Sequence, residues 1–151
     1  MASAFIIFEN RQHLALPNIL AKLRDLIGFD CQEAEWRFGE RVVAQIRVAT
    51  VPPIALQLDE DPDIVPEEIQ EMLDSDARYF EKSALTAARR CRSRVEVVSC
   101  EPTRVGRFPE GGTLTHSPNA DMDSPDVQLA VRRIAAALQG WAYDNVNGRW
   151  L

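Results

Sequence analysis

Residues 33–50 read EAEWRFGERVVAQIRVAT. Ala34, Trp36 and Phe38 alternate with Glu33, Glu35 and Arg37. Beyond Gly39 and Glu40, Val42, Ala44, Ile46 and Val48 resume the alternation. A period of two on both sides of a glycine-containing turn predicts an antiparallel hairpin with one wet face. Pro52 and Pro53 then break the chain, and Ile54–Leu58, IALQL, reads as the third strand of a meander whose start is an edge or a kink.

Working outward, the apolar run Ser3–Phe8, SAFIIF, predicts a buried strand. Pro17 and Asn18 open a helical pattern with Ile19, Leu20, Leu23, Leu26 and Ile27 on one side and Gly28 as its stop. After the meander, Asp63 and Pro66 mark a helix start, and Ile69, Met72 and Leu73 give that helix an apolar side. The pattern weakens at Ser75 and Asp76 and resumes through Phe80, Leu85, Ala88 and Cys91. Ser93–Cys100, SRVEVVSC, reads as a strand. Residues 101–123 are rich in Pro, Gly, Thr, Ser and Asn and read as a long loop. Ser124, Pro125 and Asp126 are a helix start, Val127, Ala130, Val131, Ile134, Ala135 and Leu138 its apolar face, and Gly140 its end. Asn147-Gly148 predicts a terminal hairpin or a strand plus turn. The expected architecture is a single α+β domain spanning 1–151: a mostly antiparallel sheet with helices packed on one face.

The chain has 151 residues, 46% of them hydrophobic and 26% charged, enough to bury a core without disulfides or metals. The formal net charge is -6. That sign argues against general binding of nucleic acid or of anionic membranes, and fits a basic protein partner or plain solubility. Ala4–Phe8 is too short for a secretory signal and is followed at once by Glu9 and Asn10; no segment approaches transmembrane length. Cys31, Cys91 and Cys100 are an odd count without a CxxC pair, as expected of reduced thiols in the cytoplasm rather than a disulfide framework or zinc site.

The functional question centres on Leu58–Asp76, LDEDPDIVPEEIQEMLDSD, which holds no lysine or arginine. Asp59, Asp61 and Asp63 have the spacing of a calcium loop, but Ile64 stands where the sharp turn needs glycine and Gln70 where the loop needs its closing glutamate. No metal site is expected. A catalytic carboxylate pair is not specified either, since any acidic run offers two carboxylates at a workable distance. What remains is a solvated acidic helix face or a docking surface for a basic partner. His13 and His116 lack ligand spacing and read as surface residues. Gly111-Gly112 has no strand-to-helix context for a phosphate cradle and reads as a loop tip. Arg89, Arg90, Arg92 and Arg94 are the most cationic segment and are expected to balance the acidic helix within the fold or between subunits; a small nucleic-acid patch, the other reading, fights the overall charge. Trp141, Tyr143 and Trp150 are expected to pack the last strand onto the core.

The tail carries a resemblance. A long apolar helix with Ala135-Ala136-Ala137-Leu138, then Gly140, Tyr143-Asp144 and Gly148, resembles the end of small bacterial α+β proteins of the polymorphic-toxin immunity type. It covers about the last quarter of the chain; Asn145 and Val146 stand where those proteins often carry proline and glutamine. The resemblance implies a small cytoplasmic protein without catalytic residues or cofactor, which binds a cognate toxin with a basic surface and occludes its active site. The partner-binding residues are then Asp59, Glu60, Asp61, Asp63, Glu67, Glu68, Glu71 and Asp74. Two other readings stand beside it: a small-ligand binder or enzyme with a pocket near 101–123, and an adaptor that self-associates, with a homodimer as its simplest form.

Overall fold

The computed structural model describes residues 2–100, 103–107, 113–116 and 120–151. In chain order these give β1 (Ala4–Phe8), α1 (Leu16–Leu26), β2 (Cys31–Phe38), β3 (Arg41–Val48), β4 (Ile54–Asp59), α2 (Val65–Ser75), α3 (Lys82–Arg89), β5 (Ser93–Ser99), β6 (Thr103–Arg107), β7 (Thr113–His116), α4 (Pro125–Ala137), β8 (Trp141–Asp144) and β9 (Arg149–Trp150). A short 3-10 turn, Ala77–Tyr79, joins α2 to α3. Among the described residues, seven strands form one sheet in the order β2-β3-β4-β5-β1-β8-β9, and β6 and β7 pair separately. Every neighbouring pair is antiparallel. The molecule is a single-domain α+β fold built on an antiparallel sheet.

β1 lies in the middle of that sheet and decides the layering. Ala4, Ile6 and Phe8 join one core, where Ile19, Leu20 and Leu23 of α1 meet Val127, Val131 and Ile134 of α4. Ile7 points the other way, into a second core with Val65, Ile69 and Leu73 of α2 and Ala88 at the end of α3. The helices, expected on one face, therefore cover both. The cause is legible in AFIIF itself. A strand with one wet face alternates, whereas a run apolar at every position is buried on both sides.

The local devices follow from specific residues. Gly39 closes the β2–β3 hairpin at φ 62°. Ser124 caps α4 by accepting from the Val127 N–H at 3.4 Å, and its hydroxyl donates to the Val51 carbonyl at 2.7 Å. Asp126 accepts from the Val51 N–H at 2.7 Å, so one helix start holds the β3–β4 connection at both polar groups of one residue. At the other end the left-handed position is Gln139, φ 55°, rather than Gly140. Its N–H bonds the Ala136 carbonyl and that of Gly140 the Ala135 carbonyl, the double closure of a Schellman motif. Gly140 answers a different demand: a Cβ there would stand 2.1 Å from the Ile7 carbonyl oxygen. Leu26, expected on the apolar side of α1, is 56% exposed, while Ile27 beyond it is buried.

Part of the span 101–123 is strand, not loop: Thr103–Arg107 pairs with Thr113–His116. Residues 101–102, 108–112 and 117–119, Gly111-Gly112 among them, lie outside the described residues. Ala120 and Met122 are buried in the first core. The tail is the expected hairpin, β8 against β9. Its Asp144 is fully buried, and one carboxylate oxygen accepts from the N–H groups of Val146 and Asn147, both at 3.0 Å. Trp150 is buried in the second core, with Trp141 and Tyr143 packed against it, as expected of these aromatics. Cys31 and Cys91 are buried thiols. Burial raises the Cys31 thiol and pushes that of Cys91 up to about 12, so neither is a ready nucleophile. Among the described residues no helix is long and apolar enough to cross a membrane.

Candidate functional site

The acidic stretch leaves β4 at Asp59, turns, and enters α2. The turn is built by its own carboxylates: Asp59 accepts from the Asp61 N–H at 3.1 Å and Asp61 from the Asp63 N–H at 2.9 Å. The first helical N–H group, that of Val65, then bonds the Asp61 carbonyl. The cap expected near Asp63 is therefore a main-chain one set up by Asp61. Pro66 sits in the first turn with Glu67 and Glu68, where the helix dipole favours negative charge.

The eight expected partner-binding acids do not form one surface. Asp59 and Glu68 turn inward onto Arg94, which rises from β5 into the space between α2 and the sheet. Its guanidinium also meets Glu96 at 3.1 Å and lies 4.6 Å over the Phe5 ring. Arg94 is only 5% exposed, and its Nε has no hydrogen-bond partner among the described residues. Burial opposes the cation, but the hydrogen bond with Glu68 and the charges of Glu96 and Asp59 outweigh it and raise the pKa. Burial lifts the Glu96 carboxyl above the ordinary range; Arg94 pulls it down, and Asp59 and Glu68 push it up. This cluster fastens α2 to the sheet. The sequence pointed to Arg94 as a counter-charge for the acidic helix but not to Glu96 or to the burial of the cluster, because SRVEVVSC alone does not say that β5 is internal.

Two further acids are also engaged. Asp74 holds Arg89 of α3 at 2.8 Å. Glu60 accepts from Asn10 at 3.2 Å and from the buried Ser93 hydroxyl. The basic segment thus balances the acidic one inside the fold, with Arg90 turned instead to Glu9 at 2.8 Å. Asp61 is exposed, its side chain occupied in the turn. That leaves Asp63, Glu67 and Glu71, all exposed and, among the described residues, without an ion-pair partner. Glu67 and Glu71 line the side of α2 opposite Val65, Ile69 and Leu73, and Asp63 stands in the turn just before the helix. No basic residue stands in the last turn of α2.

Two other places are concave. A cavity of about 530 Å³ opens between α1 and the β2–β3 hairpin, walled by Leu16, Leu20, Ala44 and Ile46 with Glu33 and Glu35 at its rim. His13, at φ 50°, shares a shallow polar depression with Arg11, Arg90, Arg92 and Ser93. Among the described residues no group of three or more His, Cys, Asp or Glu could hold a metal ion. Around Arg94 the guanidinium occupies the centre that a cation would take.

No family model, curated protein or solved structure matches this chain.

The chemistry on offer therefore rests on this chain alone. Its outward α2 stripe concentrates negative charge on a rigid element fastened underneath by Arg94. Such a stripe attracts a cationic surface at long range and can pair with its lysines and arginines at contact.

Proposed function

We propose that the protein is a binding protein of the immunity type, which neutralises a cognate bacterial toxin in the cytoplasm by covering its basic active site with the outer face of α2. It acts by occlusion and carries out no reaction of its own. The observation that carries this reading is the run Asp63, Glu67 and Glu71, which among the described residues has no ion-pair partner, while Asp59, Glu68 and Asp74 are neutralised within the fold. Glu67 and Glu71, four apart on α2, repel by about 0.2–0.5 kcal/mol, while the helix dipole favours Glu67 in the first turn. The tail resemblance supports the same reading, and the structure of that tail is a packed hairpin in which Tyr143 and Asp144 have structural contacts.

The test is capture of the partner from the host, followed by assay of the partner's own activity. A single partner, inhibited at one-to-one stoichiometry, is expected. The variant Asp63→Lys, Glu67→Lys, Glu71→Lys is expected to slow association at least about tenfold at low salt, with the fold kept as judged by circular dichroism. Glu68 is left alone because its loss would loosen α2. Association that is unchanged at every salt concentration would remove this stripe from the interface.

A second reading, a small-ligand binder, is favoured by the apolar cavity between α1 and the hairpin. Its two rim carboxylates select for a cationic head on an apolar tail. Thermal stabilisation by a long-chain alkylammonium, lost in Glu33→Gln and Glu35→Gln together, would support it. A pocket beside 101–123 falls on a span only partly described.

A further inference from the structure

β2 is an outer strand of the sheet: among the described residues it pairs with β3 and with nothing on its far side. Its ladder with β3 is unbroken from Cys31 to Phe38. β3 in turn meets β4 only over Ile46–Val48. The outer half of the hairpin therefore stands clear of the sheet as a two-stranded arm, a form of marginal stability without a third strand. Two residues, Gly39 and Glu40, close the arm between Phe38 and Arg41. In such a closure the flanking pair exchanges both backbone hydrogen bonds, and bonded and non-bonded pairs alternate from there. Phe38, Trp36 and Ala34 then spend their backbone groups on β3, while Arg37, Glu35 and Glu33 direct theirs outward.

Those three residues also carry the exposed charges of the strand. Glu35 and Arg37 already touch along one face, 3.2 Å apart and 57% and 71% exposed. A second copy adding antiparallel to this edge must set outward-bonding positions opposite one another. Most registers fail on charge. One sets Glu35 against itself, another sets Glu33 against Glu35 twice, and a third sets Arg37 against itself. Among the registers that set two of these charges opposite one another, a single one passes: Trp36 lies on the two-fold axis, Glu35 faces Arg37 of the second copy, Arg37 faces Glu35, and Glu33 faces Gly39. Every facing charge then meets its opposite or none. A two-fold contact must be complementary to itself, and this edge is.

We infer that the protein forms a homodimer by antiparallel pairing of its β2 edges about Trp36, joining two seven-stranded sheets into one. The contact uses no residue of α2 and is independent of the proposed toxin-binding face.

The test is sedimentation equilibrium of the full chain and of charge variants, with far-UV circular dichroism as the check on folding. The wild type is expected to be a dimer. Glu35→Arg alone and Arg37→Glu alone each set like charges together twice across the axis, and each is expected to weaken the dimer at least about tenfold. The double variant Glu35→Arg, Arg37→Glu restores both pairs and is expected to return the dissociation constant to within about threefold of wild type. Glu33→Arg, facing glycine, is expected to leave it unchanged. A monomer at all concentrations overturns the inference. So does a dimer indifferent to the single reversals, or one that the swap does not restore. Weakening by Glu33→Arg as large as by Glu35→Arg overturns this register.

Discussion

Gly140 and Gln139 share the end of α4 but answer to different forces. Gly140 has no room for a Cβ, since the Ile7 carbonyl oxygen would lie 2.1 Å away. Gly140→Ala must push the helix end off the central strand, and is expected to cost about 3 kcal/mol in chemical denaturation. Gln139 has room but pays for its left-handed backbone, φ 55°. Gln139→Gly relieves that strain and is expected to gain about 0.5–1 kcal/mol. A glycine reads in sequence as a helix stop, yet the residue that turns this helix is the glutamine before it. The signal is ambiguous because two neighbouring positions can each stop a helix, and only the packing on Ile7 tells them apart. Asp144 is a plainer case. Fully buried, it accepts from two backbone N–H groups and from the Asn147 side chain at 2.8 Å. Asp144→Ala orphans those donors in the terminal turn and is expected to cost about 3 kcal/mol by the same measurement.

At the scale of the element, α2 is held by apolar contact on one side and by the Arg94 cluster beneath its first turns. Glu96 faces Arg94 on its own strand, Asp59 on β4 and Glu68 on α2. Its pKa is raised, so the fold prefers its protonated form. That contribution is full below the ordinary glutamate pKa and is lost as pH rises through the folded value. Glu96→Gln mimics the protonated form and is expected to melt higher than wild type at pH 7. The gain should shrink as pH falls through the raised pKa of Glu96 toward the ordinary glutamate range, where wild-type Glu96 takes up its proton. A difference in melting temperature that is flat with pH would show that Glu96 does not titrate against this cluster. The main elements of the α+β sheet were legible in sequence because each carries its own period: two in Glu33–Val48, near 3.6 in Val127–Leu138. The Arg94 cluster was not legible. It joins residues from three elements far apart in the chain, and a charge on a strand reads as wet until its neighbours are known. The same ignorance of neighbours hid the division of the acidic stretch into inward Asp59 and Glu68 and outward Asp63, Glu67 and Glu71.

The described residues form two hydrophobic layers on opposite faces of one sheet, and β1 is built into both. Ile6 lies in the core with α1 and α4, and Ile7, one residue on, in the core with α2 and α3. Because β1 pairs with β5 on one side and β8 on the other, neither layer can lose it without freeing polar backbone in the middle of the sheet. The layers should therefore unfold together. Ile6→Ala and Ile7→Ala are each expected to cost about 2–4 kcal/mol. The sharper expectation concerns where the loss is seen. Trp141 and Trp150 belong to the second layer, on the opposite side of the sheet from Ile6. In a Trp36→Phe background their fluorescence reports that layer alone, while far-UV circular dichroism reports the whole sheet. If β1 couples the layers, Ile6→Ala shifts the fluorescence transition by the same denaturant concentration as the dichroism transition, and the two curves superimpose. A tryptophan transition left at its wild-type midpoint would mean that the α2–α3 layer is a separate cooperative unit. A loosely coupled α2 would in turn be a poor platform for the charge stripe, because steering depends on carboxylates held in place before the partner arrives.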